Sequence, residues 1–551
     1  MLETSREPNI RYTAISFAPV QGFIEKSRKL RDLFGASLIL SYLSYKLVEV
    51  AIQKLGKESI ISPGLINVQK GMPNRILIKG EFSRNDVTNT LTQTWKTILE
   101  QCRVWIENKI PTQDKYEWEK EWLRWGMYSW EIFWGSGESP AAAMQDLESR
   151  KLRRDWTGIN WTGESSSLTG TDAIAWTGLG KLNSHPGRQL TEVDKAEMKD
   201  FYQRLSYALD INKEEDLPKI KELPSDSKLE GKFLDTQERL SIPELVKRLV
   251  TRDYIAQRIG IQTDGVYVFD KGFTDINRKI PEGKGLWTGW FMGDGDKVGK
   301  TIKDILEKQG DEGVKKFSTA MRNWGDNFYD EFNNKSPKKL GKVIYAGGDD
   351  FLGVIYSSDS KKQIEPIGAL EWLMELPAKW EEHGQPINLS VGFVWAGGSV
   401  PQRDILQHCR EAEKRAKKLG RNRVTIRIVF NSGQNIQWTC PWNCLSILKQ
   451  YKDRNNKNWE SGANWGHIFQ DLAHLKARHA IPKKGTKEIV DTKIAFALYD
   501  FYFKHQDNDI SSNLLSKHAN DIVGIDEDQE VIDWINGLIH VGWYLLSSSS
   551  I

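Results

Sequence analysis

A turn of two glycines and two aspartates is the strongest chemical signal in this sequence. It consists of Gly347, Gly348, Asp349 and Asp350 within the run KVIYAGGDDFLGVIY. The flanking β-branched and aromatic residues predict a tight β-hairpin, and its glycines let backbone N–H groups come close to a phosphate. Adjacent carboxylates repel unless a cation neutralises them, and such hard oxygen ligands favour Mg²⁺ or Mn²⁺. On its own the motif is more often a plain turn with exposed acids.

A second pair of acids follows a predicted apolar strand, Trp287–Met292, which ends in the run GDGD at residues 293–296 directly before a predicted helix. In a palm domain the end of the first strand lies beside the central hairpin, so three carboxylates are expected to converge there. Such a set can hold two metal ions for phosphoryl transfer, activating a ribose 3′-hydroxyl and stabilising pyrophosphate. The predicted metal ligands and catalytic residues are Asp294, Asp349 and Asp350. The predicted nucleotide-binding residues of the two turns are Gly295, Asp296, Gly347 and Gly348.

A basic helix is predicted over RDILQHCREAEKRAKKLGRNRV. Its basic stripe, at spacings of four, three and four, consists of Arg410, Lys414, Lys417 and Arg421. Such a stripe can bind a triphosphate through charge-assisted hydrogen bonds, although a solvated face is an equally ordinary explanation. Its position after the predicted palm favours phosphate binding, with Lys417 and Arg421 as the best candidates.

The strand and helix patterns place these motifs in a repeated topology. Strand, helix, strand, strand, helix, strand is read from residue 10 to 134 and again from 286 to 396, which is the ferredoxin-like order of nucleotide-handling palms. Residues 210–232 are strongly charged and are predicted to be a linker, and only helical patterns follow residue 441. The predicted domains are a first palm at 1–135, an insertion and middle domain at 136–283, a second palm at 284–440 and a helical bundle at 441–551.

Composition excludes several classes of protein. The 551 residues carry 77 Lys+Arg against 74 Asp+Glu, a net charge of +3 that rules out a wholly basic nucleic-acid binder. Mean hydropathy is −0.53, and no membrane span, secretion signal or disulfide framework is evident, so a cytoplasmic protein without membrane contact is expected. Ten of the 22 tryptophans lie between Trp95 and Trp176. We interpret this belt as core and docking face rather than as a base-stacking surface for RNA.

The motifs together resemble the large subunit of type III CRISPR effector complexes, the Cas ten family, in its Cmr-type III-B branch. The resemblance rests on GGDD, the upstream DGD and the helix ending AKKLGRNRV, and on the early run FAPVQGFIEKSRKLRDLFGASLILSYLSYKL at 17–47. Weaker matches are ESRKLRRDW at 148–156 and DTQERLSIPELVKRL at 235–249. The resemblance implies an α+β fold with two ferredoxin-like palm domains of the cyclase or polymerase type, a helical middle domain and a C-terminal all-α bundle.

The resemblance also implies an activity and partners. The activity is the joining of ATP into cyclic oligoadenylate when the complex holds a matching target RNA, with Asp294, Asp349 and Asp350 as metal ligands. Ser37 falls where the first palm is thought to contact a second ATP. The implied partners are the subunit that caps the guide's 5′ tag, the small helical subunits, and guide and target RNA through the complex. Two alternatives stay open: a catalytically silent scaffold subunit, or a stand-alone GGDEF-like dinucleotide cyclase.

Two departures from the family pattern lead to further expectations. Many members begin with an HD nuclease domain, but here the family's first palm begins near residue 10 and the first histidine is His185, so no HD nuclease is expected. A zinc-binding cysteine cluster is also common in the family, whereas residues 163–170 read GESSSLTG. The one close pair, Cys440 and Cys444, lacks the further ligands that structural zinc needs, so no zinc is expected.

Overall fold

The computed structural model describes most of the chain. It covers residues 11–112, 115–153, 163–181, 190–211, 231, 233–261, 286–335, 340–357, 364–481, 492–506, 510–525 and 527–547. The predicted linker at 210–232 lies mostly outside these ranges. The described residues divide into two compact units. The first takes its residues from Met1–Ile276 and Ile302–Arg322, and the second from Asn277–Thr301 and Asn323–Ile551.

The first unit contains a four-stranded antiparallel sheet. Its strands are β1 (Tyr12–Ala18), β2 (Ile60–Ser62), β3 (Arg75–Lys79) and β4 (Glu131–Gly137). Their order in the sheet is β2-β3-β1-β4. This is the split βαβ order of a ferredoxin-like domain, so the topology predicted for the first palm is confirmed.

Among the described residues of the first unit, eight α-helices surround or follow this sheet. They are α1 (Val20–Glu25), α2 (Leu30–Leu55), α3 (Arg84–Lys109), α4 (Glu119–Tyr128), α5 (Pro140–Leu152), α6 (Glu192–Asp210), α7 (Ile242–Leu249) and α8 (Asp253–Ile259). Strand β4 begins only at Glu131, because α4 continues to Tyr128. Helix α5 packs directly on β4: a Cβ on Gly135 would lie 2.4 Å from the backbone nitrogen of Leu147. Residues beyond the predicted boundary at 135 therefore complete this sheet's packing.

Helix α2 forms the centre of the first unit. By length and composition it passes the test for a membrane-crossing helix, but 78% of its most apolar window is buried inside the protein. Leu33, Ile39 and Leu43 have no exposed surface. This burial is that of a core helix, whose apolar surface is removed from water by neighbouring helices.

Close packing of α2 on α7 leads to a stability prediction. A Cβ on Gly35 would lie 1.9 Å from the carbonyl oxygen of Lys247, a backbone atom that cannot rotate away. We expect Gly35→Ala to destabilise the protein by about 1–3 kcal/mol, as overpacked cores generally do. The matched control is Gly22→Ala on α1, where a Cβ would meet the Cβ of Pro19 at an ordinary 3.6 Å. Thermal unfolding checks both, and equal melting temperatures would contradict the prediction.

The tryptophan belt is mainly core. Five of its members are buried: Trp95, Trp105, Trp118, Trp122 and Trp176. Three more are half-buried: Trp125, Trp130 and Trp134. Trp156 and Trp161 lie outside the described residues. The interpretation of the belt as core is confirmed for the buried five.

The second unit contains a six-stranded sheet. Its strands are β5 (Thr288–Gly295), β6 (Gly341–Ala346), β7 (Asp350–Ile355), β8 (Leu389–Ala396), β9 (Arg423–Val429) and β10 (Asn435–Pro441). Their order is β10-β9-β8-β5-β7-β6, with β8 and β9 parallel and the other neighbours antiparallel. The four strands β8-β5-β7-β6 repeat the order of the first sheet, which confirms the predicted α+β fold with two ferredoxin-like palms. The pair β9–β10 extends the second palm beyond what the sequence pattern predicted.

In the part of the chain that the structure describes, three α-helices lie between strands of this second sheet and six follow its last strand. The three are α9 (Val298–Asp330), whose middle belongs to the first unit, α10 (Pro366–Glu381) and α11 (Gln402–Lys418). The six are α12 (Ile447–Gln450), α13 (Gly466–Ala477), α14 (Lys493–Phe503), α15 (Ser512–Lys517), α16 (Ala519–Ile522) and α17 (Asp528–Leu546). Helix α17 packs on the sheet, since the Trp534 indole donates a hydrogen bond to the Thr439 carbonyl at 2.7 Å. The predicted C-terminal helices thus share a core with the palm.

Candidate active site

The backbone of β5 and β7 brings the two acidic motifs together. Asp294 pairs with Asp350 across the antiparallel ladder. The N–H of Gly295 donates to the carbonyl of Asp349 at 2.7 Å. Residues directly opposite on adjacent strands have Cβ atoms about 4.5–5.5 Å apart. The topology therefore places the predicted acids from two distant parts of the chain in one neighbourhood.

The two hairpin glycines are required by the turn itself. Gly348 has φ +125°, which L side chains rarely adopt. Gly347 donates its N–H to the Asp350 carbonyl at 2.8 Å, and a Cβ there would lie 2.4 Å from Oδ1 of Asp350. Both glycines are buried. They therefore close the turn and leave Asp349 and Asp350 half-buried at its tip.

Strand β5 separates the acids from an aromatic core by the alternation of its side chains. Phe291 packs edge-on against Phe328, and a Cβ on Gly293 would lie 2.1 Å from the Phe351 ring. Asp294, the next residue, points to the opposite face of the sheet, where α11 packs. The small residue at 293 thus lets an aromatic ring press against the strand that holds the acid.

Lys417 lies between two acids of this site. Its ammonium hydrogen-bonds the carboxylate of Asp294 and forms an ion pair with Oε1 of Glu413 at 2.6 Å. Burial raises the pKa of Asp294 and of Glu413 above their ordinary values, against the opposing effect of the lysine charge. Burial alone would lower the pKa of Lys417, but the two carboxylates outweigh it and raise that pKa. The predicted phosphate-binding lysine is therefore held beside the predicted metal ligands.

The other predicted residues have different surroundings. Asp296 is 5% exposed and accepts hydrogen bonds from protein groups, whereas the Arg421 side chain is 44% exposed. Ser37 is 9% exposed on α2 and belongs to the first unit. Of the basic stripe, Lys414 is exposed and Arg410 is half-buried.

Sequence reasoning missed two groups at the site. Glu413 precedes Lys417 by one helical turn, a spacing that favours an ion pair and could have identified it. Tyr345, near the end of β6, has its pKa raised well above the ordinary value by burial and then by the charges of Asp350, Asp294 and other nearby acids. The position of Tyr345 near these acids follows only from the pairing of β6 with β7. The register of that pair shifts between residues 343 and 345, and the sequence pattern does not predict such a shift.

A divalent cation fits the chemistry of these residues, although the side chains are not arranged around one. Among the residues that the structure describes, no group of three or more His, Cys, Asp or Glu side chains is placed to hold a metal ion. The ammonium of Lys417 instead neutralises Asp294. Because the candidate donors are carboxylates, they suit Mg²⁺ or Mn²⁺. The four cysteines are free and buried, and the expectation of no zinc stays a prediction.

The chain has two sheets with the split βαβ order, and the second has acids at its central hairpin. These features place it in the class of palm-domain proteins. Residues 12–100 match the family model described as CRISPR-associated protein Cmr2, N-terminal. Residues 288–425 match the model described as Cas10/Cmr2, second palm domain. The predicted resemblance to the Cas10/Cmr2 large subunit is therefore confirmed by two separate parts of the chain.

The chain is also similar to individual proteins. The chain is 49% identical over 51 residues to the CRISPR system Cmr subunit Cmr2 of Pyrococcus furiosus, a stretch that covers 9% of this chain and 6% of that relative. The fold is similar to a chain of the type III-B Cmr-beta structure in its apo state, with TM-score 0.55 and 10% identity over 97% of this chain and 82% of that one. A weaker likeness, with TM-score 0.48 and 14% identity over 98% of this chain and 70% of that one, is to a Csm1–Csm4 cassette in complex with one ATP.

Proposed function

We propose that this chain is the large subunit of a type III CRISPR effector complex and that its second palm joins ATP into cyclic oligoadenylate when target RNA is bound. The observation that carries the proposal is the pairing of Asp294 with Asp350 across β5 and β7, beside Lys417. The family models matched at both palms support it. The motif at the hairpin is the one that family membership leads us to expect.

Different residues would bind the metal ions and the triphosphate in this reaction. Asp294, Asp349 and Asp350 would hold Mg²⁺ or Mn²⁺, which when bound activates the ribose 3′-hydroxyl and stabilises pyrophosphate. In each step a bond forms between a 3′-oxygen and an α-phosphorus, and the bond from that phosphorus to the β-phosphate bridging oxygen breaks. Lys417 and Arg421 would bind the triphosphate through charge-assisted hydrogen bonds. Gly347 and Gly348 would lie beside the phosphates, as the resemblance to the family implies.

The partners follow from the proposed assembly. We expect the chain to contact the subunit that caps the guide's 5′ tag and the small helical subunits, and to meet guide and target RNA within the complex. A net charge of +3 suits a subunit whose RNA is held largely by its neighbours. A cytoplasmic location without membrane contact belongs to the same proposal.

Incubation of the reconstituted complex with ATP, Mg²⁺ or Mn²⁺, and with or without cognate RNA, tests this function. Mass spectrometry should find oligoadenylates only when target RNA is present. No ATP turnover in a complex that cleaves target RNA normally would instead indicate a silent scaffold. Turnover of GTP by the isolated chain without RNA would indicate a stand-alone dinucleotide cyclase.

Replacement of Lys417 tests its proposed contact with the triphosphate. We expect Lys417→Met to weaken ATP binding about 10- to 100-fold, because a hydrogen bond to a charged group contributes about 1.5–3 kcal/mol. Equilibrium titration of the complex with ATP measures the change. The control is Lys414→Met, an exposed lysine of the same helix, which should bind ATP normally. Equal affinities for both variants would contradict the role of Lys417.

A further inference from the structure

The carboxylate of Asp296 is enclosed by protein donors. The hydroxyl of Ser390 donates to it, with oxygen–oxygen distances of 2.8 and 2.9 Å, and the N–H of Asn422 donates to Oδ2 at 2.8 Å. Its own N–H donates to the carbonyl of Asn388 at 2.8 Å. At 5% exposure, this acid is better placed to organise the protein than to touch a nucleotide.

The turn that Asp296 contacts has an unusual backbone. Arg421 and Asn422 follow each other with φ +65° and +49°, and Lys297, next to Asp296, has φ +56°. Non-glycine residues rarely adopt this left-handed region, because Cβ approaches the backbone. Two such residues in succession persist only where neighbouring groups hold them. The Asn422 N–H bond to the Asp296 carboxylate is such a restraint.

Arg423 holds the same turn from its other side. Its Nε donates to the carbonyl of Arg421 at 3.1 Å, and its guanidinium donates to the carbonyl of Asp521 at 3.0 Å. The backbone of residues 421 and 422 is therefore fixed, while the Arg421 side chain stays 44% exposed with its Nε 3.9 Å from Oδ1 of Asp296. One turn of helix earlier on the chain lies Lys417. These contacts thus fix the backbone that carries the Arg421 guanidinium. That guanidinium lies just after the end of α11, the helix that carries Lys417, the other candidate phosphate-binding residue.

We infer that Asp296 is a positioning residue: it holds the Arg421–Asn422 turn in its left-handed conformation and so presents the Arg421 guanidinium to the triphosphate of ATP. This inference rests on the proposed function and deepens it. It also reassigns Asp296, because the acid acts through Arg421 rather than on the nucleotide.

Equilibrium binding of ATP and of adenosine to the reconstituted complex, in Mg²⁺, tests the inference with four variants: Asp296→Ala, Asp296→Asn, Arg421→Ala and the double Asp296→Ala/Arg421→Ala. We expect Asp296→Ala and Arg421→Ala each to weaken ATP binding about tenfold, the size of one charge-assisted contact, and the double variant to bind no more weakly than either. Asp296→Asn, which keeps one acceptor oxygen, should lose less. Adenosine, which has no phosphate, should bind all variants alike.

A rescue variant keeps the test decisive. Glycine adopts the left-handed region without strain, so adding Asn422→Gly to Asp296→Ala should recover part of the ATP affinity. If Asp296→Ala does not fold, Asp296→Asn and Ser390→Ala carry the same comparison. Three results would overturn the inference and leave the proposed function standing. They are losses that multiply in the double variant, an equal loss of affinity for adenosine, and unchanged ATP binding by Asp296→Ala. If the wild-type complex bound no ATP, the proposed function would fall and the inference with it.

Discussion

Replacing Asp349 and Asp350 together with alanine is expected to abolish oligoadenylate formation and to leave assembly of the complex intact. Substitution of groups that merely support metal ligands commonly costs about 10- to 100-fold in metal affinity or activity, so loss of two proposed ligands should exceed that range. The hairpin should survive, because the bonds that close it use the backbone of Gly347 and Asp350. Product is quantified by mass spectrometry after RNA-stimulated reaction, and assembly by size-exclusion chromatography.

Two further variants sharpen this experiment. Asp350→Asn keeps the shape of the side chain and removes its charge, so it should lose activity as Asp350→Ala does if the carboxylate binds a cation. Glu460→Ala removes an exposed acid from the same unit and should leave activity unchanged. Oligoadenylate formation by the double alanine variant at the wild-type rate would show that the acids are not the metal ligands.

The largest effect on stability is expected from Arg248→Met in the first unit. The Arg248 side chain has no exposed surface, and it donates to both carboxylate oxygens of Asp32, at 2.6 and 3.0 Å, and to the carbonyl of Phe233 at 2.8 Å. Asp32 is 1% exposed, so replacement of Arg248 leaves a buried carboxylate without its main counter-charge. Breaking such a pair costs about 3–5 kcal/mol. Calorimetric unfolding measures the shift.

Matched variants separate the buried pair from ordinary ion pairs. Lys195→Met removes one member of an exposed pair with Glu192, whose side chains are 53% and 90% exposed, and should cost no more than about 1 kcal/mol. Asp32→Leu combined with Arg248→Met removes both buried charges and should recover part of the loss. A destabilisation by Arg248→Met no larger than that of Lys195→Met would contradict the argument.

The same pair predicts how this stability depends on pH. Burial alone would raise the pKa of Asp32, but the charges of Arg248 and Lys247 hold it below its ordinary value. A carboxyl whose pKa is lower in the folded protein contributes stability above its unfolded pKa of about 3.9 and loses it as the pH falls through the folded value. The difference between wild type and Arg248→Met should therefore be largest near neutral pH and shrink in acid.

The sequence alone was sufficient for the fold class and for the neighbourhood of the site. Short apolar runs rich in β-branched and aromatic residues predicted the four ferredoxin-like strands of each sheet, because such residues favour buried strands. The glycines and aspartates of the hairpin identified its tip, since few residues other than glycine tolerate the φ of +125° at Gly348. The identity of the family could also be inferred, because these motifs keep their order along the chain.

Only the tertiary structure decided the partners of each side chain. Asp294 and Asp296 look equivalent in the run GDGD, yet Asp294 hydrogen-bonds Lys417 and Asp296 is enclosed by Ser390 and Asn422. These partners lie about a hundred residues away along the chain, and no local pattern encodes such contacts. The buried ion pair of Arg248 with Asp32 is invisible in the sequence for the same reason, since burial and pairing are set by how helices pack. Residue types thus predicted the chemistry, whereas long-range packing determined that Asp294 contacts Lys417 and that Asp296 contacts Ser390 and Asn422.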